Sequence, residues 1–282
     1  MAAVITPQNV LRRHIAVPQD HGSWVFLLSP LLIGIFTSGS PWTSATILLI
    51  LAAMSAFLIR QPVTTAIKVY SGRRSKRDLP AAWFWIVIYG LIGLVALSGL
   101  LIQGYGYLLY LAVPAVPVFI WHLLLVSRRA ERRQIGVEIV GSGTLALAAP
   151  AGYWIGLNQP DPMGWWLFLL TWFQSAASIV YAYARLEQRE LAAMPDNSHR
   201  LRIGRRALLY TGVNLAAVTV LGFVNILPYL LFVPYLLQFC ETIYGTLVKP
   251  AVGYKPTAIG IRQLIVSTLF TILFIIAWKL SV

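Results

Sequence analysis

Long apolar runs recur from residue 22 to residue 280, each separated from the next by a short polar or a longer basic interval. About 20 apolar residues in a helix cross the hydrocarbon core of a bilayer. The runs predict nine such helices, over residues 22–39, 42–60, 79–102, 104–127, 136–157, 163–184, 203–221, 223–245 and 258–280. Ser40-Pro41, Asp78 with Pro80, and Asp161-Pro162 each pair a capping side chain with an early proline, the usual start of a helix. The expected fold class is all-α: a polytopic integral membrane bundle forming one transmembrane domain over 1–282, with 1–21 as an N-terminal cytoplasmic segment.

Composition removes the competing reading of a greasy soluble core. The chain is 58% hydrophobic and 11% charged, where a soluble domain carries about 25% charged residues. The net charge of +13 would suit nucleic acid, but the charges lie between apolar runs, so nucleic acid is not an expected partner. The single Cys240 excludes an intrachain disulfide framework. Residues 1–20 are polar, and no short apolar region with a small-residue cleavage site follows, so the first span is expected to be retained.

Charge also orients the chain. Of the 22 lysines and arginines, 21 fall in the N-terminal segment, in the connections after spans 2, 4, 6 and 8 or in the span ends beside those connections, leaving Lys279 alone at the other side. By the positive-inside rule the N-terminus is expected in the cytoplasm and the C-terminus outside, in a bacterial inner membrane.

Ionisable groups inside a bilayer are costly and point to function. His21, Arg60, Gln61, His122, Glu138, Gln238 and Glu241 all fall in the expected cytoplasmic halves of their spans. That distribution predicts a polar cavity opening to the cytoplasm beneath a dry outer half. Two readings stand for each residue: arginines near helix ends snorkel to headgroups, and acids pair with neighbouring arginines. In "VPQDHGSWVFLLSPLLIGIF" (Val17–Phe36), Asp20 stands at the N-cap, and His21 beside the exposed first-turn N–H groups suits an anion. His21 is equally placed to act as an acid or base or as an interfacial anchor. The connections "FLIRQPVTTAIKVY" and "YAYARLEQRE" leave their spans as extended helices. The first carries Lys68 and Tyr70, and the second sets Tyr181, Arg185, Gln188 and Arg189 on one face. Four spans separate the two, which hints at a repeat of four-helix units. No phosphate-binding loop, dinucleotide fingerprint or metal-ligand spacing occurs, and no cofactor is expected. Glu187 and Glu190 flank arginines, as on a solvated helix face.

Nine spans with long cytoplasmic connections after the second and sixth resemble the UbiA superfamily of intramembrane prenyltransferases. "SRRAERRQIGVEIVGSG" (Ser127–Gly143) looks like that superfamily's basic lead into its fifth helix, and the two connections above sit where it carries acidic motifs. The resemblance implies magnesium and a prenyl diphosphate, but Arg60, Gln61 and Lys68 stand at the first motif, and arginines and glutamates at the second. Magnesium-dependent prenyl transfer is therefore not expected, and no metal site is assigned. "PQDHGSW" (Pro18–Trp24), followed by Pro30 and by Arg60-Gln61-Pro62, is more similar to the YwiC-like family of bacterial membrane proteins, which more often has Glu before the His. That resemblance implies topology rather than mechanism.

Three functions are consistent with these features. The first is a protein, catalytic or not, that handles an anionic isoprenoid or quinone-type lipid. Its substrate-binding candidates are His21, Arg60, Gln61, Lys68, Tyr70, Glu138, Tyr181, Arg185 and Glu241, with His21, Glu138 and Glu241 available for acid–base work. The second is a non-catalytic scaffold or assembly factor that binds membrane lipids and a membrane protein partner. The third is a transporter, disfavoured because alternating access places its polar site near the midplane.

Overall fold

The structure, a computed structural model, describes residues 12–18, 21–130 and 134–281, with His21 described by its backbone alone. Among the described residues there are helices and connections but no strand. The chain begins with the single turn α1 (Arg13–Ala16), followed by α2 (His21–Thr37), α3 (Ser44–Tyr70) and α4 (Leu79–Ile102). A 3₁₀ segment (Gly106–Leu111) leads into α5 (Ala112–Ser127), and α6 (Ile135–Ala146) and α7 (Ala148–Leu157) follow in line. The rest comprises α8 (Pro162–Arg189), α9 (Asn197–Phe223), α10 (Phe232–Ile243) ending in a π-helical turn (Tyr244–Val248), and α11 (Pro256–Ser281). Eight stretches are long and apolar enough to cross a membrane, and a ninth apolar helix, Gly22–Thr37, is shorter. The protein is a multi-pass helical membrane bundle.

Local chemistry explains the ends and breaks. Asp161 Oδ1 accepts from the Met163 N–H at 2.7 Å, with Pro162 in the first turn, as the sequence suggests. The other two expected starts differ. α3 begins at Ser44, where Thr43 Oγ1 accepts from the Thr46 N–H at 3.1 Å, rather than at Ser40-Pro41. Asp78 makes no side-chain cap because its carboxylate accepts from Arg12 Nη1 at 2.7 Å. The predicted fifth span is divided at Leu147 into α6 and α7. Pro150 brings no N–H to the Ala146 carbonyl four residues back, so the hydrogen-bond ladder lapses there.

The ends of the helices are tied in two separate layers. At one end, Arg12 reaches Asp78, Arg73 Nη1 donates to the Val126 carbonyl, and Arg200 Nη1 donates to the Leu247 carbonyl at 2.8 Å. The first two bonds tie the N-terminal segment, the connection after α3 and the end of α5, and the third ties the start of α9 to the end of α10, all at the end of the bundle where the basic segments lie. At the opposite end Ser44 Oγ donates to Gln103 Oε1 at 3.1 Å and Tyr105 Oη to Asn158 Oδ1 at 2.7 Å.

α8 is the most buried of the long helices, while α4 and α5 turn most of their apolar surface outward, as lipid-facing helices do. α2 packs against α7, α11, α6 and α8. Its contact with α7 depends on missing side chains: a Cβ on Gly34 would overlap the Ala149 carbonyl, and one on Gly152 would lie 2.8 Å from the Ile35 nitrogen. Small residues at such a seam let helix backbones approach closely. Along α11, Ser29 Oγ lies 2.6 Å from Thr271 Oγ1, and Lys279 Nζ lies 5.8 Å from the Phe36 ring centroid. α2 and α11 therefore run in the same direction, and this register places the backbone of His21 level with Gln263.

Filling the α2–α7 seam should destabilise the bundle. Gly34→Val is expected to cost about 1–3 kcal/mol through overpacking, read as a lowered melting temperature in detergent. Gly90→Ala, whose Cβ would find only Ile59 Cδ1 at 3.9 Å, should leave it unchanged.

Candidate functional site

One face of α8 is a polar stripe inside an apolar bundle. Gln174, Ser175, Tyr181, Arg185 and Gln188 are all buried, and each needs an internal partner because hydrocarbon supplies none. Gln174 Nε2 donates to Ser178 Oγ and Ser175 Oγ to the Thr171 carbonyl within α8 itself, and α10 with its π turn meets the need of the others. Gln238 Nε2 donates to the Gln174 carbonyl at 3.1 Å and to Ser178 Oγ at 3.0 Å. Arg185 Nη1 donates to the carbonyls of Gly245 and Lys249 and to Gln188 Oε1. The π turn redirects the carbonyls of residues 245 and 249 towards this guanidinium, and Gly245 makes the approach possible, since a Cβ there would overlap the Tyr181 hydroxyl.

Towards α11 the stripe opens into a small cleft with room for little more than one water-sized group. α8 contributes Ser178 and Tyr181, α10 contributes Gln238 and Glu241, and α11 contributes Gln263, Val266 and Ser267. Its charge is balanced in place. Arg262 Nε and Nη2 donate to Glu241 Oε1 and Oε2 at 2.6 and 2.7 Å, a bidentate pair, and the guanidinium lies 5.0 Å from the Tyr244 ring centroid. Tyr181 Oη donates to Glu241 Oε1 at 3.0 Å. Two polar atoms of the lining residues, Gln238 Oε1 and Gln263 Nε2, are buried with no hydrogen-bond partner.

The second sequence cluster forms a separate corner. The edge of Trp24 meets the Phe57 ring at a centroid distance of 4.9 Å, and the Arg60 guanidinium lies 5.4 Å from the same ring. Trp24 Nε1 reaches back to the Pro18 carbonyl at 3.5 Å. The "PQDHGSW" and "RQP" stretches thus converge on one phenylalanine. The sequence profile of the YwiC-like protein family matches residues 17–153, which contain this corner whole. Over those residues, the chain is similar to that family. Over 177 residues it is 25% identical to the uncharacterized protein YwiC of Bacillus subtilis (strain 168), an alignment covering 62% of this chain and 68% of that protein. No solved structure matches the chain. The YwiC-like segment therefore holds the Trp24–Phe57–Arg60 corner, whereas the α8–α10–α11 cleft lies beyond residue 153.

Of the sequence candidates, Tyr181 and Glu241 line the cleft, and Arg185 sits one turn below Tyr181 with Nη1 committed to carbonyls. Arg60, Gln61, Lys68 and Tyr70 lie on α3, which packs chiefly on α4 and contributes nothing to the cleft. Gln61 Nε2 donates to the His14 carbonyl at 3.0 Å, and Tyr70 is exposed and accepts from Trp83 Nε1 at 3.2 Å. Glu138 is exposed and accepts from Tyr183 Oη at 2.6 Å, away from Glu241. Asp20 and the side chain of His21 lie outside the described residues. Among the described residues no three His, Cys, Asp or Glu side chains gather where a metal could be held.

Arg262, Gln263, Ser178 and Gln174 were not among the sequence candidates. The period of the α8 stripe, Gln174–Ser178–Tyr181–Arg185, was readable as one helix face. Arg262 resembled one more cation near a helix start.

Two outcomes follow from this geometry. Separate Glu241→Ala and Arg262→Ala variants should each lower the melting temperature, and the double-mutant cycle should return a coupling of about 1–3 kcal/mol, measured by thermal unfolding in detergent. Arg185→Lys should also destabilise, since one ammonium cannot reproduce the planar fork that meets Gly245, Lys249 and Gln188.

Proposed function

We propose that the protein binds an isoprenoid- or quinone-type membrane lipid by its polar head, in the cleft between α8, α10 and α11. The observation that carries this reading is a polar cleft, with a buried acceptor and a buried donor left unpaired, inside the half of the bundle that ends in the basic layer. The exposed apolar side chains Leu236, Leu264 and Ile265 on α10 and α11 offer a surface along which a tail can lie in contact with bilayer lipid.

The same reading sets the basic layer on the cytoplasmic side of a bacterial inner membrane, with the N-terminus inside and the C-terminus outside. Gathered cations at one end favour the anionic cytoplasmic leaflet. A scaffold reading, in which the protein binds a membrane partner without chemistry, draws on the broad outward apolar faces of α4 and α5.

Two measurements test the proposal. In a Cys240→Ala background, a cysteine at Ser198 should react with an impermeant maleimide only in inverted vesicles, and one at Gln159 only in intact cells. The opposite pattern rejects the orientation. Lipid extracted from protein purified gently from its own membrane should contain an isoprenoid or quinone-type molecule, depleted by Gln263→Leu. Bulk phospholipid alone, with a co-purifying protein, would support the scaffold instead.

A further inference from the structure

The proposed function leaves open what kind of head group the cleft accepts, and the inference here rests on that reading. The sequence led us to expect an anion held by His21, Arg60, Lys68 and Arg185; the side chain of His21 lies outside the described residues, and the structure puts none of the other three guanidinium or ammonium groups on the cleft wall. Arg185 is buried and turned onto backbone carbonyls, and Arg60 lies over Phe57 on α3. The guanidinium that does stand at the cleft, Arg262, donates through Nε and Nη2 to the carboxylate of Glu241. Glu241 also accepts a hydrogen bond from the Tyr181 hydroxyl. Among the described residues, an entering phosphate would meet a carboxylate and a guanidinium already paired with it, and would lose its hydration for little return.

What the cleft does offer is one acceptor and one donor of opposite sense. Gln238 is 5% exposed and Gln263 half-buried, and Gln238 Oε1 and Gln263 Nε2 are both sealed from solvent without partners. Val266 and the Ser267 turn supply an apolar wall beside them. A leftover carbonyl oxygen and a leftover amide N–H are complementary to a group that donates once and accepts once.

We infer that the cleft takes an uncharged head that both donates and accepts a hydrogen bond, namely the hydroxyl of a long-chain alcohol. The hydroxyl proton goes to Gln238 Oε1 and the hydroxyl oxygen accepts from Gln263 Nε2, while the chain follows α10 and α11 outward. A phosphorylated chain of the same length is excluded by Glu241. The discrimination is the one a hydrogen-bonding site exerts against a head that leaves its polar groups unpaired or brings a charge.

The test uses the full chain in phosphatidylcholine nanodiscs, a long-chain alcohol with a diazirine in its chain, and the matching monophosphate ester. Photolabelling by the alcohol should map by mass spectrometry to α8, α10 and α11 around the cleft and should be competed by unlabelled alcohol. Gln263→Leu should lower that labelling about fivefold, the loss of one hydrogen bond, while its melting temperature without ligand stays level or rises because an unpaired amide is removed. Gln238→Leu should weaken labelling too, but it also breaks the tie to Gln174 and Ser178, so Gln263→Leu is the deciding variant. If the phosphate ester labels the same helices more strongly than the alcohol, the inference about the head falls and the lipid-binding proposal stands. If neither probe labels the cleft above an apolar chain lacking a head, both fall.

Discussion

A polar side chain facing hydrocarbon has no water to turn to, and this constraint organises the second half of the protein. α8 carries Gln174, Ser178, Tyr181, Arg185 and Gln188 down one side; Gln174 is answered by Ser178 one turn on, and the other four from α10 or its π turn. The π turn is part of that answer. A regular helix would keep its carbonyls pointing along its own axis, whereas the wider turn presents those of Gly245 and Lys249 to Arg185. One buried guanidinium thus fixes the end of α10, the path of residues 249–255 and, through Tyr181 and Glu241, the wall of the cleft. Removing a member should therefore cost more than a single bond, since each partner left behind is stranded in apolar surroundings.

The first half is held differently. α2 and α7 approach through glycine and alanine, with Gly34 against Ala149 and Gly152 against Ile35, and dispersion rather than hydrogen bonding is the main attraction. Close backbone approach leaves α2 rigid along its outer half. Its inner half is left between two different surfaces, the aromatic–cation corner at Phe57 and the polar cleft beside α11.

Much of this was legible in the sequence, because hydropathy and helix length are local properties. Each of the nine apolar runs holds a helix, and the α8 stripe is visible as a polar face of period 3.6. The boundaries were less so. Asp78 has the right neighbours to cap a helix, but a distant arginine takes its carboxylate, and no local pattern reveals Arg12 at that spot. Pro150 sits inside a run whose hydropathy gives no sign of the break at Leu147. The site shows the same limit. Tyr181 and Glu241 were found because they are conspicuous inside a span, whereas Gln263 matters through what it lacks, a partner, and a missing partner exists only once helices are packed.

Arg60 and Arg185 illustrate why residue type alone misplaces chemistry in a membrane protein. Both are cations in the same half of the bilayer, and both suit an anion when read singly. Packing separates them: Arg60 lies over an aromatic ring at the corner shared with Trp24, and Arg185 serves as a bracket for the end of α10. The charge that does reach the cleft arrives already matched with Glu241. A bilayer imposes this outcome generally, because an arginine left unmatched at that depth would draw in water or lipid phosphate and open the helices around it. The unspent capacity for recognition therefore passes to the groups that can be left unpaired at tolerable cost. Those are neutral amides, Gln238 and Gln263, and on the proposal made above they would favour a head as neutral as themselves.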